Sequence, residues 1–465
     1  MGIRMKKRKD KMTQEEKVTY MTTKAVPPLI CELAIPTIIS MLVTAFYNMV
    51  DTFFVGKLNT QSTAAVGIVF TIMALIQACG FFFGHGTGNY ISRKLGQREY
   101  ESASIMAATG FFLAFICGVV FAVIGLLFLD PLAILLGSTE TILPYTRGYL
   151  RIILIGTPFM MSSFVLNNQL RFQGSAGYAM VGIVTGAVVN IVLDPIFIFS
   201  FNMGVAGAAL ATVISQLVSF GLLYMGSMRG GNIRISIRNF KPTLSNIYEI
   251  TRGGFPSLCR QGLASIAGVF LNHMAGIYGG LSGDAAIAAM SIVNRVTMFA
   301  NSALIGFGQG FQPVCGMNYG AKKYGRVMEG FWFCVKYAFV VLVAIAVLGA
   351  TYAEPIVTAF RKDDAEVIRI GTLALRLQCI AFPLNAWIVM SNMMLQSIGK
   401  AVKASVVAAA RQGLFFIPFI MILPQVLGLL GVQMAQMVAD MGAFALTMPI
   451  CLGELKMMKN DKKIE

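Results

Sequence analysis

Two acidic residues lie inside long apolar stretches, where ionisable side chains are seldom kept without a use. Asp51 follows Tyr47 by one helical turn, and Asp194 follows Asn190 by the same spacing and precedes Pro195. An aspartate at the centre of a membrane helix costs roughly 2.5–3.5 kcal/mol on insertion scales. Oxygen donors on one helix face suit Na⁺, and a carboxylate among apolar helices suits proton uptake. The spacing therefore predicts a cation or proton site, and Pro195 predicts a hinge beside it.

Each of these residues also has a plainer interpretation. Asp194 would cap a broken helix, and Asp51 would lie near the outer end of its span, where water is available. Thr212 and Asn167 are polar residues in neighbouring apolar spans, where such side chains are often bonded to their own backbone. The residues alone leave these alternatives open.

Cations stand out in the spans of the second half of the chain. Arg260, Arg295 and Arg411 lie in apolar stretches there, and a buried arginine must find an anion or water because it keeps its charge. We hypothesise that one or more of them faces a central cavity, together with Asn392 and Gln309, and that the natural substrate is anionic or zwitterionic. The alternative is that they pair with the aspartates, with backbone carbonyls or with lipid phosphate.

The composition predicts a membrane protein, because 56% of the residues are hydrophobic and only 12% are charged. Apolar stretches long enough to cross the ~30 Å hydrocarbon core as helices recur along the chain. About twelve spans are predicted, near 29–55, 63–88, 103–129, 148–172, 176–200, 204–226, 247–279, 285–313, 327–352, 368–395, 402–425 and 428–452.

An internal repeat divides these spans into two sets of six. The sequence AAVGIV at 64–69 returns about 224 residues later as AAMSIV at 288–293, and FGHG at 83–86 returns as FGQG at 307–310. At the positions that match Asp51 and Asp194, the second half has Ala275 and Ile417. Six spans are an even number, so both halves enter the membrane in the same orientation. The prediction is an all-α membrane protein with twelve helices in two parallel six-helix lobes, an architecture of many secondary transporters.

The basic residues indicate the orientation and the division of the chain. They concentrate in the leader, in alternate loops and in the tail, which places both termini in the cytoplasm of a multi-pass plasma-membrane protein. The net charge of +16 then reflects contact with anionic lipid headgroups and not nucleic acid. The expected division is a basic cytoplasmic leader at 1–26, a first lobe at 27–228, a cytoplasmic connection at 229–246, a second lobe at 247–453 and a cytoplasmic tail at 454–465.

The sequence contains few residues at spacings that would suit enzyme catalysis or metal binding. The eight cysteines show no CxxC spacing, and His85 and His273 are the chain's two histidines. The glycines at 84–88 do not follow a strand, and we expect them to let a helix bend or pack closely. No Walker lysine follows a glycine-rich loop. We therefore expect no enzyme activity, no cofactor, no ATP-driven transport and no metal beyond the coupling Na⁺.

Several short motifs together resemble the multidrug and toxic compound extrusion (MATE) family, in the branch related to DinF proteins and Gram-positive multidrug pumps. The resemblance covers the chain from about Pro27 to Leu455 and is carried by ELAIP at 32–36, DTFFVG at 51–56, ISRKLG at 91–96, LRFQG at 170–174, Asn190 to Pro195, and GVAGAA at 204–209. It implies a twelve-helix exporter that exchanges Na⁺ or H⁺ for substrate. It also implies a coupling site at Tyr47, Asp51, Tyr149, Asn167, Asn190, Asp194 and Thr212.

The expected function is export of small organic molecules by alternating access, driven by Na⁺ or H⁺, in a monomer. Candidate Na⁺ ligands are Asp51, Asn190, Asp194 and Thr212. A flippase of lipid-linked precursors is the alternative, because such proteins of the wider superfamily also place arginines in a central cavity. A channel or receptor would need a filter or a sensory domain, and neither is evident in the sequence.

Overall fold

The computed structural model describes residues 12–362 and 364–461, and it builds them as helices joined by short connections. The first residues of the predicted leader, 1–11, and the end of the predicted tail, 462–465, lie outside the described residues. In chain order the helices are α1 (Gln14–Thr23), α2 (Val26–Gly56), α3 (Thr60–Gly96), α4 (Tyr100–Leu127), α5 (Leu129–Leu135), α6 (Leu143–Phe172), α7 (Ala176–Pro195), α8 (Gly204–Ser227), α9 (Leu244–Tyr278), α10 (Gly283–Gly320), α11 (Tyr324–Thr351), α12 (Ala353–Phe360), α13 (Ala365–Ala381), α14 (Asn385–Ser397), α15 (Ala401–Ala409), α16 (Ile417–Leu427) and α17 (Leu429–Asp461).

Within the described residues, ten helical segments are long and apolar enough to cross a membrane. They coincide with ten of the twelve predicted spans. The other two predicted spans form α9 and α10, which have 35 and 38 residues but a more polar composition that includes Arg260 and Arg295. Both helices pack against the opposite half of the protein, so part of their polar surface need not face lipid.

Prolines break the fifth and eleventh spans in related ways. Helix α7 ends at Pro195, and a π-helical turn, Ile196–Ser200, continues the span. In the eleventh span the π-helical segment Ala410–Phe416 comes first and α16 follows, with Pro418 in its first turn. Proline cannot donate a backbone hydrogen bond, and π-helical turns are places where a helix is locally loosened.

Helices α2–α8 are called the first lobe and α9–α17 the second lobe. The lobes meet where α10 packs on α2 and α3, and where α9 packs on α3. Gly86 allows one close approach, because a Cβ there would lie 2.3 Å from the carbonyl oxygen of Ile250. Gly310 allows another, because its Cβ would lie 2.5 Å from Cα of Ala34. The expectation that the glycines at 84–88 allow close packing is confirmed at Gly86.

One end of the bundle, called the basic face, carries α1, the α3–α4 turn, the α8–α9 connection and the α10–α11 turn. Helix α1 links the two lobes there. The Lys17 ammonium donates to the Ser175 hydroxyl at 2.5 Å in the first lobe. The Asn318 amide donates to the Met21 carbonyl at 3.2 Å, and Lys323 donates to the Thr22 carbonyl at 2.9 Å, both from the second lobe. The basic face is therefore closed by contacts between the lobes.

The lobes separate toward the opposite end, called the open face. In α2 the buried residues lie at or before Ser40, apart from Val55 near its end. In α9, a Cβ at Gly262 or Gly268 would meet no atom within 4 Å, whereas Gly254 nearer the basic face is in tight contact with Phe82 of α3. We interpret this loss of contacts as a cleft between the lobes that widens away from the basic face.

Candidate cation site and the cleft between the lobes

The predicted acidic pair comes together inside the first lobe. Asp51 lies near the end of α2 and Asp194 near the end of α7, and the two carboxylates interact electrostatically. Asp51 also interacts with Tyr47 on its own helix and with Tyr149 at the start of α6. Asp194 is 0% exposed. Four helices therefore converge on these carboxylates, with α8 contributing Thr212 beside Tyr149.

Oxygen atoms in this cluster lack hydrogen-bond partners. Asn190 donates from its amide nitrogen to Oδ1 of Asp194 at 3.2 Å, which leaves its own Oδ1 free to accept. Oδ2 of Asp194 and Oδ1 of Asp51 are also buried without a partner. Unpaired buried oxygens are costly, and two carboxylates close together repel when both are ionised. A bound Na⁺ or a proton would remove both costs, and the donor set suits either.

Asn167 lies apart from this cluster. It is 18 residues beyond Tyr149 on α6, which is about 27 Å along a helix axis, and its amide nitrogen donates to the Ala179 carbonyl at 3.1 Å. A small cavity of about 50 Å³ lies inside the first lobe, and Asn167 lines it together with Tyr47 and Asn190. Asn167 is thus connected to the acidic cluster by this cavity and not by direct contact.

The second lobe contains its own buried carboxylate, which the sequence analysis did not identify. Asp440 on α17 is 0% exposed and accepts from Nε of Arg411 at 2.7 Å. Asn385 donates to its other oxygen at 3.0 Å, and Gln436 donates to the first at 2.7 Å. Arg411, which the sequence suggested as a cavity cation, is therefore neutralised inside its lobe, and both oxygens of Asp440 have partners.

The other predicted cavity residues are dispersed. Arg295 is exposed on α10, and Arg260 is half-buried on α9. Gln309 is buried on α10 with its Oε1 unpartnered. The Asn392 amide donates to the Ala404 carbonyl at 2.8 Å, which repeats the Asn167 bond at the corresponding position of the second lobe. Arg260 interacts electrostatically with His85 and Arg171 of the first lobe, whereas Asn392 is bonded within its own lobe.

A polar network at the interface of the lobes was also missed. His85 of α3 is within 2.9 Å of the Ser257 hydroxyl of α9 through Nδ1, and within 3.2 Å of Nη2 of Arg171 through Nε2. Nη2 of Arg171 also donates to Oδ1 of Asn168 at 2.5 Å. Ser257 in turn accepts from the Gln396 amide at 2.8 Å. His85 and Arg171 are 1% exposed.

A larger cavity, about 830 Å³, lies on the basic face and is separate from the acidic cluster. Its lining includes Arg93, Lys94, Arg252, Lys322 and Lys400. The guanidinium of Arg93 donates to the Ser397 carbonyl at 3.0 Å and so links the lobes at the base of this cavity. Glu99 and Glu249 also line it and pair with Lys94 and Arg252. The remaining excess of basic side chains suits anionic headgroups better than a cation.

Comparison with known proteins identifies the class of this membrane protein. The MatE family model matches two segments, residues 36–196 and 256–422, one in each lobe. The chain therefore belongs to the MatE family, a family of transporters and not of enzymes. Transporters of this family couple to Na⁺ or H⁺.

Related sequences and solved structures cover nearly the whole chain. The multidrug export protein MepA of Staphylococcus haemolyticus is 29% identical over 436 residues, covering 92% of this chain and 93% of the relative. MepA of Staphylococcus aureus is 27% identical, covering 92% and 94%. A multidrug resistance MATE family transporter of the MOP superfamily, solved in an outward-facing conformation, superimposes with a TM-score of 0.89 at 28% identity, covering 95% and 98%.

A transporter of the MOP superfamily from Pyrococcus furiosus also superimposes, with a TM-score of 0.88 and 29% identity over 95% of this chain and 98% of that one. Its binding pocket is described as having reverse polarity, which suggests a different function for that protein. The predicted all-α fold is confirmed by these superpositions as the MATE fold, and the protein is a multi-pass membrane protein.

Proposed function

We propose that the protein exports small organic molecules, drugs among them, in exchange for Na⁺ or H⁺. The observation that carries the proposal is the set of unpartnered oxygens on Asp51, Asn190 and Asp194 inside the first lobe. A site that is short of positive charge can bind a cation and release it again. The names of the MepA relatives support drug export as the transport reaction.

The mechanism is alternating access driven from the first lobe. Cation binding between α2 and α7 draws the two carboxylates together and repacks the end of α7, where Pro195 and the π-helical turn that follows provide a hinge. Tyr47, Tyr149 and Thr212 surround the carboxylates and transmit the change to α6 and α8. Coupling requires that cation and substrate favour different states of the lobes, since a ligand shifts an equilibrium only through its differential affinity.

The cleft between the lobes is the proposed path for the substrate. In the described conformation it opens away from the basic face, and we assign Arg260 and Gln309 to its closed end. Basic loops are retained in the cytoplasm during insertion, so the basic face and both termini are assigned to the cytoplasm of the plasma membrane, and the open face to the outside. The basic face also provides contacts for anionic lipid headgroups.

The proposal also includes the bounds of the lobes, the oligomeric state and the branch of the family. The lobes correspond to 27–228 and 247–453, joined by a cytoplasmic connection at 229–246. The cation cluster lies within one chain, which favours a monomer as the functional unit. The relatives reported above are MepA proteins, and the finer placement in a DinF-related branch stays a prediction.

The test uses purified protein in liposomes loaded with rhodamine 123, a fluorescent cation, under an imposed Na⁺ or pH gradient. We expect dye movement driven by one of the two gradients. For comparison with Asp194→Asn, which removes an acid of the cluster, Asp130→Asn is the control. Asp130 is a partly exposed acid that pairs with Arg147 outside the cluster. Movement that ignores both gradients, with protein present in the liposomes, would overturn antiport. Gradient-independent movement of a fluorescent lipid between leaflets would instead favour the flippase.

A further inference from the structure

Three basic side chains from both lobes meet near the closed end of the cleft. His85 and Arg171 belong to the first lobe, and their side chains approach to 3.2 Å. Arg260 belongs to α9 of the second lobe and interacts electrostatically with both of them. Ser257, one helical turn before Arg260, is 2.9 Å from His85. The cluster therefore lies at the point where the two lobes touch before they separate.

This positive charge has no internal counter-ion. Within the described residues, neither Arg171 nor Arg260 has a carboxylate within ion-pair distance, and the charged neighbour of Arg171 is Arg260 itself. Arg171 is 1% exposed, and its Nε is buried without an acceptor. The acceptors that it has are neutral: Oδ1 of Asn168 and the ring of His85. A buried guanidinium without an anion is strongly unfavourable, because it cannot lose its proton.

The internal repeat places neutral residues at the positions that match His85 and Arg171. At the positions of the second lobe that match His85 and Arg171, the chain has Gln309 and Gln396. Gln396 occupies its site with hydrogen bonds to Ser257 and to the Gly253 carbonyl. Neutral residues therefore fit the same backbone positions, so the basic cluster is a chemical difference between two similar environments.

We propose that Arg171, Arg260 and His85 form a binding site for an anionic group, a carboxylate or phosphate, of the transported substrate. The guanidinium Nε of Arg171 and the guanidinium of Arg260 supply charged donors from opposite lobes, which is the arrangement that holds an oxyanion between two surfaces. The cluster thus names the substrate class as anionic or zwitterionic molecules. The inference rests on the proposed export function.

The location of the cluster explains how such a group would enter and leave. His85 and Ser257 form the contact between lobes at this level, and separation of the lobes at the basic face would break it and expose His85 and Arg171. An anion bound there would then have Arg171 on one lobe and Arg260 on the other. Closure of the basic face restores the His85–Ser257 contact and leaves Arg260, half-buried on α9, at the cleft that leads to the open face.

The experiment compares two dyes with a shared xanthene core, fluorescein as the anion and rhodamine 123 as the cation. Their gradient-driven transport is measured in proteoliposomes, and fluorescein binding to purified protein is measured by equilibrium dialysis. The variants are Arg260→Gln, Arg171→Gln and His85→Gln, the last two matching the residues of the other lobe. Arg151→Gln is the control, because Arg151 is an exposed arginine on the same helix as Arg171.

We expect Arg260→Gln and Arg171→Gln each to lower fluorescein binding and transport by about tenfold or more, since a charged hydrogen bond is lost. Fluorescein transport should fall more than rhodamine 123 transport in Arg260→Gln, and Arg151→Gln should match the wild type for both dyes. Equal loss of both dyes in Arg260→Gln, or unchanged fluorescein binding, would overturn the inference.

The result also separates this inference from the proposed function. A wild type that moves rhodamine 123 along a gradient but neither binds nor moves fluorescein retains the antiport proposal and overturns the anion site. A wild type that moves neither dye under any gradient overturns the antiport proposal itself. If Arg171→Gln fails to accumulate in the membrane, Arg260→Gln alone decides, because its side chain is only half-buried.

Discussion

The two lobes each bury a carboxylate, but they neutralise it in opposite ways. In the first lobe, Asp51 on α2 and Asp194 on α7 keep unpartnered oxygens and interact electrostatically. In the second lobe, Asp440 has the Arg411 guanidinium at 2.7 Å and amide donors on both oxygens. The difference supports the proposal that the first lobe binds an exchangeable cation, whereas the second has a permanent one supplied by its own side chain.

The internal repeat allows the carboxylates of the two lobes to be compared position by position. The position of Thr212 in the first lobe is occupied by Gln436 in the second, and Gln436 donates to Asp440. The residue that matches Asp194 is Ile417, and the residue that matches Asp440 is Gln216. The two carboxylates therefore arose at different places in a shared architecture. Such asymmetry suits a transporter in which one lobe responds to the ion and the other stays rigid.

The largest expected effect comes from removing the first-lobe carboxylate. Asp194→Asn should reduce gradient-driven rhodamine 123 transport by about tenfold or more, because a neutral amide cannot take a proton and binds Na⁺ weakly. The matched variant is the double substitution Arg411→Met with Asp440→Asn, which removes both charges of the second lobe together. We expect it to retain transport within about threefold of the wild type, measured as the initial rate per amount of protein.

Removing one partner of the Arg411–Asp440 ion pair should lower the stability of the protein more than its transport rate. Arg411→Met leaves Asp440 buried without its cation and should lower the free energy of unfolding by about 3–5 kcal/mol, as for other buried pairs that lose a partner. Adding Asp440→Asn should recover part of this loss. Thermal unfolding in detergent checks whether the double variant melts at a higher temperature than Arg411→Met. Equal melting temperatures for the single and the double variant would contradict a buried ion pair.

The hinge assignment predicts a smaller and asymmetric effect. Pro195→Ala restores a backbone donor at the end of α7 and should stiffen the junction with Ile196–Ser200. We expect a several-fold lower transport rate with cation binding retained. Pro418→Ala, in the first turn of α16, should change the rate less, because proline at that position costs a helix little. Equal slowing by both substitutions would show that the hinge is not confined to the first lobe.

The smallest expected effect comes from removing a hydrogen bond that both lobes make. Asn167 and Asn392 make the same bond, from an amide to the carbonyl of a residue 12 positions later. Asn167→Leu and Asn392→Leu should each reduce the free energy of unfolding by about 1–2 kcal/mol. Equal transport in the two variants would assign Asn167 a structural role. A specific loss in Asn167→Leu would extend the coupling site along the cavity to Asn167.

Much of the fold was predictable, because apolar length alone locates a membrane helix. The span predicted at 204–226 is α8, Gly204–Ser227, and the span at 176–200 ends where the π-helical turn ends, at Ser200. Helices α9 and α10 were also located from their apolar stretches, although their composition is more polar than that of the other spans. The short polar helix α1 was not predicted, although its capping box, Thr13 with Glu16, is visible in the sequence.

The site was predictable only in part, because the sequence does not say which helices touch. The one-turn spacing of Asn190 and Asp194 predicted a shared helix face, and the two residues are hydrogen-bonded. Asp440 was detectable by the rule that identified Asp194, an acid in an apolar span. Its pairing with Arg411 was not, because the two residues are on different helices. His85 and Arg171 were likewise in recognised motifs, but their contact depends on how α3 packs on α6.

The most direct measurement is cation release on substrate binding by purified protein. Bound radiolabelled Na⁺ and released protons are followed before and after rhodamine 123 is added, in the wild type, in Asp194→Asn and in the double variant Arg411→Met with Asp440→Asn. The account predicts that the wild type and the double variant release one of the two cations, and that Asp194→Asn releases neither. Release that persists in Asp194→Asn, or that disappears in the double variant, would contradict a coupling site in the first lobe.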